Sequence, residues 1–133
     1  MPAIATYDAK KVSVIVGGVQ ITGFAEKTFV KSKKDEDTVK SHVSAQGDVG
    51  VAINNHSLGT ITITLNQTSP SIPYLNKLAN SPKMVDAWVI SDNDVKEKSG
   101  GTKAMVNVPP ELEYSDEITE REYTLSVFDY KIE

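Results

Sequence analysis

Residues 60–65 read Thr-Ile-Thr-Ile-Thr-Leu, inside the longer stretch VAINNHSLGTITITLNQTSPS at 51–71. Threonine alternating with Ile61, Ile63 and Leu65 is a period of two, the repeat of a strand whose successive side chains point to opposite faces. The aliphatic face belongs to a core. The other face is polar, β-branched and uncharged, where a solvent-facing strand more often carries Lys and Glu. Thr60, Thr62 and Thr64 therefore mark the face turned away from that core, and the choice of threonine there needs an explanation.

The same period recurs on both sides of this strand. Residues 12–16 (VSVIV) and 19–24 (VQITGF) flank Gly17-Gly18, and two glycines between β-rich runs predict a tight hairpin whose turn needs positive φ. A second hairpin is expected over 28–45, with arms near 28–32 and 38–44. Its tip is the wholly charged run Lys33, Lys34, Asp35, Glu36 and Asp37. The arms hold few apolar residues among many polar ones, so this hairpin is expected to project. Strands follow at 48–53 and 60–67, joined by the turn-rich Asn54–Gly59 connection.

Past Gln67 the period changes. Ile72, Leu75, Leu78 and Ala79 repeat at helical spacing, with Ser71 placed as an N-cap and Asn80 and Pro82 as a stop. One short helix is expected over about 71–81. Strand character returns at 84–91, a polar loop is expected over 92–102, and a strand at 103–108 ends at Pro109-Pro110. Residues 111–122 hold six carboxylates against Arg121. In the closing run 123–132 the apolar phase shifts between Val127 and Phe128, which calls for a bulge there or for cover on both faces. The fold class is mainly β: one domain over 1–133, a sandwich or barrel with one short helix.

The chain has 133 residues, 39% of them hydrophobic, 24% charged, and a net charge of −4. That length supports a real core. The acidic balance argues against a dedicated nucleic-acid binder, whose affinity rests on Lys and Arg at phosphates. With no cysteine, thiolate metal sites and disulfides are ruled out. The amino-terminal stretch has no basic run leading into a long apolar segment, so no secretory leader is expected, and no apolar run reaches membrane-spanning length.

Catalytic signatures are missing. His42 and His56 stand apart without metal-ligand spacing and read as surface residues. No nucleophile elbow, phosphate loop or dinucleotide fingerprint occurs. Asp92-Asn93-Asp94 resembles the opening of a calcium loop, but Glu97 and Lys103 stand where that loop needs Gly and Glu. Trp88 with Tyr74, Tyr114, Tyr123 and Tyr130 could form a sugar platform; Trp88 reads first as core. The acidic run at 111–122 and the lysines Lys27, Lys31, Lys33, Lys34 and Lys40 are a pairing that head-to-tail assembly would use, as well as two ordinary surface patches.

The combination YDAKKVSVIVGGVQITGFAE, a charged hairpin, and then SAQGDVGVAINNHSLGTITITLNQTSPSIPYLNKL resembles the tail tube proteins of contractile phages. The match covers about 7–130 and is most distinctive over 46–80, through Gly47, Val49, Asn55, Gly59, Leu65, Ser69 and Leu75. The resemblance implies a structural virion protein, not an enzyme, that binds no cofactor. It implies six copies per ring, rings stacked into an inner tube by a projecting hairpin, and a channel for DNA in transit. The implied partners are further copies, sheath and baseplate proteins, with synthesis and assembly in a host cytoplasm and no membrane insertion. On that reading Lys33, Lys34, Asp35, Glu36 and Asp37 stack rings, and Thr60, Thr62 and Thr64 face the channel or solvent. The same fold serves tubes of type VI secretion and of bacteriocins, which is the alternative within the class. A monomeric carbohydrate-binding sandwich is the alternative outside it.

Overall fold

The computed structural model describes residues 4–133. The first three residues of the domain expected over 1–133, and of the stretch read for a leader, lie outside the described residues. The strands are β1 (Val12–Val16), β2 (Val19–Ile21), β3 (Val30–Lys34), β4 (Val39–Val43), β5 (Val49–Ile53), β6 (Gly59–Asn66), β7 (Val85–Asp92), β8 (Lys96–Val108), β9 (Glu120–Val127) and β10 (Lys131–Ile132), with one α-helix, α1 (Ile72–Asn80). Gly17 and Gly18 join β1 to β2 at φ 59° and 81°, the two left-handed positions a primed turn requires.

The main sheet is antiparallel in the order β2-β1-β7-β8-β9-β6-β3, with β10 also on β8. The chain leaving β2 touches β6 through one bridge, Phe24 to Leu65, before β3 pairs with β6 from Val30↔Ile63 to Lys34↔Gly59. Because that single bridge is not a ladder, no closed barrel forms. The sheet folds over one core, as in a sandwich. Inward-facing Val14 and Val16, Ile61, Ile63 and Leu65, and Tyr123, Leu125 and Val127 are all 0% exposed. Helix α1 closes the core with Leu75 and Leu78. Two tyrosines tie it down. Tyr123 donates its hydroxyl to Asn76 Oδ1 at 2.5 Å, and Tyr74 donates to the Val16 carbonyl at 3.0 Å. A hydroxyl string crosses the interior: Ser99 Oγ donates to Ser32 Oγ, which donates to Tyr130, each at 2.9 Å.

The expected helix is present, but Ser71 does not cap it with its side chain. Its hydroxyl accepts the Thr22 amide at 3.0 Å instead, fastening the helix start to the strand side of the core.

The projecting hairpin is present but displaced along the chain. Residues 30–34 belong to the main sheet, where Val30 packs against the core and Ser32 joins the hydroxyl string. The hairpin is β4 paired with β5, from Val39↔Ile53 to Val43↔Val49, as a separate two-stranded sheet. Its turn lies at 44–48, where the Ser44 amide donates to the Asp48 carbonyl at 2.8 Å and Gly47 takes φ 88°. Residues 35–37 form its base, not its tip.

Two further expectations change. The loop expected over 92–102 is mostly strand: β7 turns at 93–95 and β8 runs on from Lys96. Its polar, glycine-bearing arm disguises it, because Gly100 and Gly101 sit where any side chain would strike Ala87, Val127 or Asp129. At the carboxyl end the ladder on β8 breaks over 128–130 yet keeps register, since Val127 opposes Ala104 and Lys131 opposes Gly100. The Asp129 carboxylate fills the gap, accepting from Thr102 N at 3.1 Å and Lys103 N at 3.0 Å. The phase shift at Val127 and Phe128 is therefore a break in the ladder with no inserted residue, not the bulge expected there.

Candidate functional site

Three surfaces carry the residues singled out in the sequence. The first is the outer face of β3, β6 and β9. Thr60, Thr62 and Thr64 point away from the core and are half-buried. Lys33 lies beside Thr60 and Lys31 beside Thr62 on one flank. Ser126, Thr124 and Glu122 oppose Thr60, Thr62 and Thr64 on the other. Lys31, Lys33, the three threonines, Glu122 and Glu120 line a cleft of about 590 Å³ together with residues 26–28 and Val30. The lysines flank Thr60 and Thr62 and the glutamates flank Thr64 and Asn66, so the two groups stand two strand spacings apart, about 10 Å, and are offset along the strand as well. Among the described residues the ion pairs are Lys96–Asp92 and Lys131–Glu133, and neither lies in this cleft. The threonines thus keep opposite charges apart on a flat hydroxylated floor, which is what a β-branched uncharged row can do and a Lys/Glu row cannot.

The second surface is the β4–β5 hairpin. Alternation places Val39, Ser41 and Val43 with Val49, Val51 and Ile53 on one side, and Lys40 and His42 with Gly50 and Ala52 on the other. The valines and Ile53 are 54–65% exposed, so this apolar face is uncovered in the protomer. A two-stranded ribbon is marginal in water by itself.

Lys33, Lys34, Asp35, Glu36 and Asp37 are split between the end of β3 and the hairpin base. Asp35 Oδ1 accepts the Thr60 hydroxyl at 2.6 Å, and its amide donates to the Leu58 carbonyl at 3.0 Å. Lys34 Nζ donates to Thr38 Oγ1 and Asn54 Nδ2 donates to Glu36, at 2.9 and 2.8 Å. The Asn54 hydrogen bond, helped by the charge of nearby His56, holds the Glu36 carboxyl below its ordinary value. This charged run orients the hairpin where it leaves the sheet.

The third surface is the acidic segment before β9. Arg121 is 3% exposed and has no carboxylate partner. Its guanidinium donates to Thr119 Oγ1 at 2.7 Å and to the carbonyls of Glu120 and Glu113 at 2.9 and 3.1 Å. It also lies 5.2 Å from the Tyr114 ring. A buried cation satisfied by carbonyls fastens the loop to the sheet and leaves the carboxylates outside. Leu112, Tyr114 and Ile118 in the same loop are 59%, 71% and 66% exposed.

Other expected positions do not form a site. Trp88, expected in the core, is half-buried on the outer face, with Lys98 Nζ 4.2 Å and Lys131 Nζ 5.6 Å from its ring. Ala87 takes the inward place. Tyr123 and Tyr130 are buried, so these aromatics do not converge on one platform. Asn93 and Asp94 hold the amino-terminal segment: the Asp8 amide donates to Asn93 Oδ1 at 2.7 Å, and the Thr6 amide donates to Asp94 Oδ2 at 2.8 Å. No group of three or more His, Asp or Glu able to hold a metal occurs among the described residues. The hairpin's apolar face is the feature the sequence reading missed. Its signal was the alternation in VKSHV and VGVAI, which was divided between two expected elements.

No protein-family model and no curated protein matches the chain. Solved structures do match in fold. The anti-feeding prophage tube-terminating cap superposes with a TM-score of 0.72 at 12% identity, over 100% of this chain and 94% of that one. The sheath/tube terminator of the PVC extracellular contractile injection system gives 0.69 at 16%, over 96% of both chains. A chain of the PVC sheath–tube complex gives 0.68 at 14%, over 96% of this chain and 91% of that one. The chain shares the fold of these proteins along nearly its whole length.

Proposed function

We propose that the protein is a structural component of a contractile tail or a related phage-derived particle, and that as one domain it self-assembles into rings of the inner tube. The observation that carries this reading is the uncovered apolar face of the β4–β5 hairpin, five β-branched residues that only another chain can bury. The shared fold with tube and terminator proteins of contractile particles supports it. Six copies form a ring, rings stack, and the Thr60, Thr62 and Thr64 row faces the channel. Lysines flank the threonine row on one side and glutamates on the other, so this face, in a protein of net charge −4, gives passing DNA little counterion-release gain. Sheath and baseplate proteins are the outer and terminal neighbours. The working place is the particle, after synthesis in a host cytoplasm, and the role is not enzymatic.

A second reading has its own support, because two of the fold relatives are terminators. A terminator forms one ring that ends a tube instead of extending it. Negative-stain electron microscopy of the purified protein over a concentration series, with light scattering, tests both. Long hollow tubes support a tube subunit, and single rings that stay single support a terminator. A monomer that neither self-associates nor joins the ends of pre-formed tubes would refute both.

A further inference from the structure

Residues 4–8 have no regular structure and are exposed. The turn between β7 and β8 holds them through side chains instead of a ladder. Asp94 Oδ2 accepts the Thr6 amide at 2.8 Å and the Thr6 hydroxyl at 3.1 Å, and Asn93 Oδ1 accepts the Asp8 amide at 2.7 Å. Two side chains thus take the amides of alternate residues, as a neighbouring strand would. Asn93 is itself fixed, being 6% exposed and donating Nδ2 to Ser91 Oγ at 2.9 Å. The two bonds from Thr6, helped by the charge of Lys11, hold the Asp94 carboxyl below its ordinary value, so it accepts as a charged group. Asp8 also caps the 3-10 turn Ala9–Lys11, accepting the Lys10 amide at 2.9 Å. That turn ends the segment and leads into β1.

The segment crosses one end of the sandwich, where β1, β3 and β8 begin and β7 ends. Tyr7, Ser91 and Glu97 line two neighbouring cavities there. One of about 380 Å³ reaches Val12 and Phe29, and one of about 220 Å³ reaches Val95. Lys27, Thr28 and Val30 line the larger cavity and the threonine cleft as well. We infer that residues 4–8 are a strap, latched by Asn93 and Asp94, that opens as a unit while the sandwich stays folded. Opening removes Tyr7 from the boundary and joins the two cavities into one trough, which runs from the β7–β8 turn to the threonine cleft. An exposed segment held by three hydrogen bonds and no ladder belongs to the least stable part of a fold, and it opens without the core. The latch lies within one copy, so it stands whether or not copies assemble.

Amide exchange read by nuclear magnetic resonance compares the intact protein with Asp94→Ala. The substitution leaves residues 4–8 unchanged, so their intrinsic exchange rates are the same in both proteins. The Thr6 and Asp8 amides should both exchange about tenfold faster in the variant, because the charged acceptor is lost. Asp8 should respond although its own acceptor, Asn93, is still present. Amides of β6 should keep their rates. A second readout tests the trough. The chain has no cysteine, and Val12 is half-buried. Val12→Cys should react with a maleimide dye about tenfold faster when combined with Asp94→Ala, whereas the exposed hairpin position Val51→Cys should react equally in both backgrounds. An Asp8 amide that does not respond would show that the segment does not open as a unit. β6 amides that quicken with the strap would show that it opens only with the fold. Val12→Cys labelling that ignores the latch would show that the strap does not close the trough. Any of the three overturns the inference.

Discussion

Replacing Gly100 with alanine tests whether the glycine pair inside β8 is a packing requirement. Gly100 takes φ 132°, and a Cβ there would fall inside contact distance of the Ala87 carbonyl oxygen, with the Trp88 Cα 3.0 Å away. Gly18 in the β1–β2 turn supplies the comparison: φ is 81° and nothing lies within 4 Å of its Cβ position. Gly18→Ala therefore isolates the left-handed penalty, about 1–2 kcal/mol. Gly100→Ala adds displacement of β7 backbone, a further 1–3 kcal/mol or so, for a total of about 2–5 kcal/mol. At roughly 4 °C per kcal/mol for a domain of this size, the expected fall in Tm is about 4–8 °C for Gly18→Ala and about 8–20 °C for Gly100→Ala. Thermal melts by circular dichroism at matched concentration decide it. A Gly100→Ala loss no greater than that of Gly18→Ala would refute the close-approach argument and return 92–102 to an adaptable loop.

Asp129→Asn should flatten the acid limb of the stability curve. Burial raises the Asp129 carboxyl, but hydrogen bonds from Thr102 and from the Lys103 amide outweigh it and hold it below its ordinary 3.8. A depressed acid stabilises fully above that ordinary value and loses its contribution as pH falls through the folded-state value, so urea midpoints of the two proteins should converge at low pH. Tyr123→Phe removes the hydroxyl bound to Asn76 and should cost about 1 kcal/mol, read from urea midpoints; no change would mean the bond does not help hold the helix. Val51→Lys should leave stability within about 0.5 kcal/mol, because the residue is exposed, and yet remove the large species from light scattering. Normal assembly by that variant would refute the role given to the hairpin face.

What was legible in the sequence followed from local rules. The alternation at 60–65 fixed which face of β6 is inside. Gly17-Gly18 announced its turn, and the spacing of Leu75 and Leu78 announced the helix. The pairing partners were not local. Nothing in residues 28–32 says that they pair with β6 instead of 38–44; that is settled by Val30 reaching the core across the sheet. The polar arm of β8 looked like a loop because Lys96, Glu97, Lys98 and Ser99 carry no apolar alternation, although the strand lies inside the sheet. Trp88 misled for a related reason: its ring rests under Lys98, and the inward place next to it suits only Ala87. The threonine row was visible as a face, whereas its position between a lysine row and a glutamate row depended on register.

On the assembly proposed above, the hairpin's isolation also governs how that assembly proceeds in time. Fixing backbone costs about 1–2 kcal/mol per residue in lost conformational entropy, and β4 and β5 recover little of it by burial in a lone protomer. Their amides should therefore exchange with solvent through local opening, well before the core strands open. A first encounter must order this ribbon as well as bring two copies together, whereas a copy adding to an existing stack meets a partner already held in place. Elongation then outruns initiation. Free subunits persist above the concentration that sustains growth, and the number of particles is set by whatever supplies the first ordered surface.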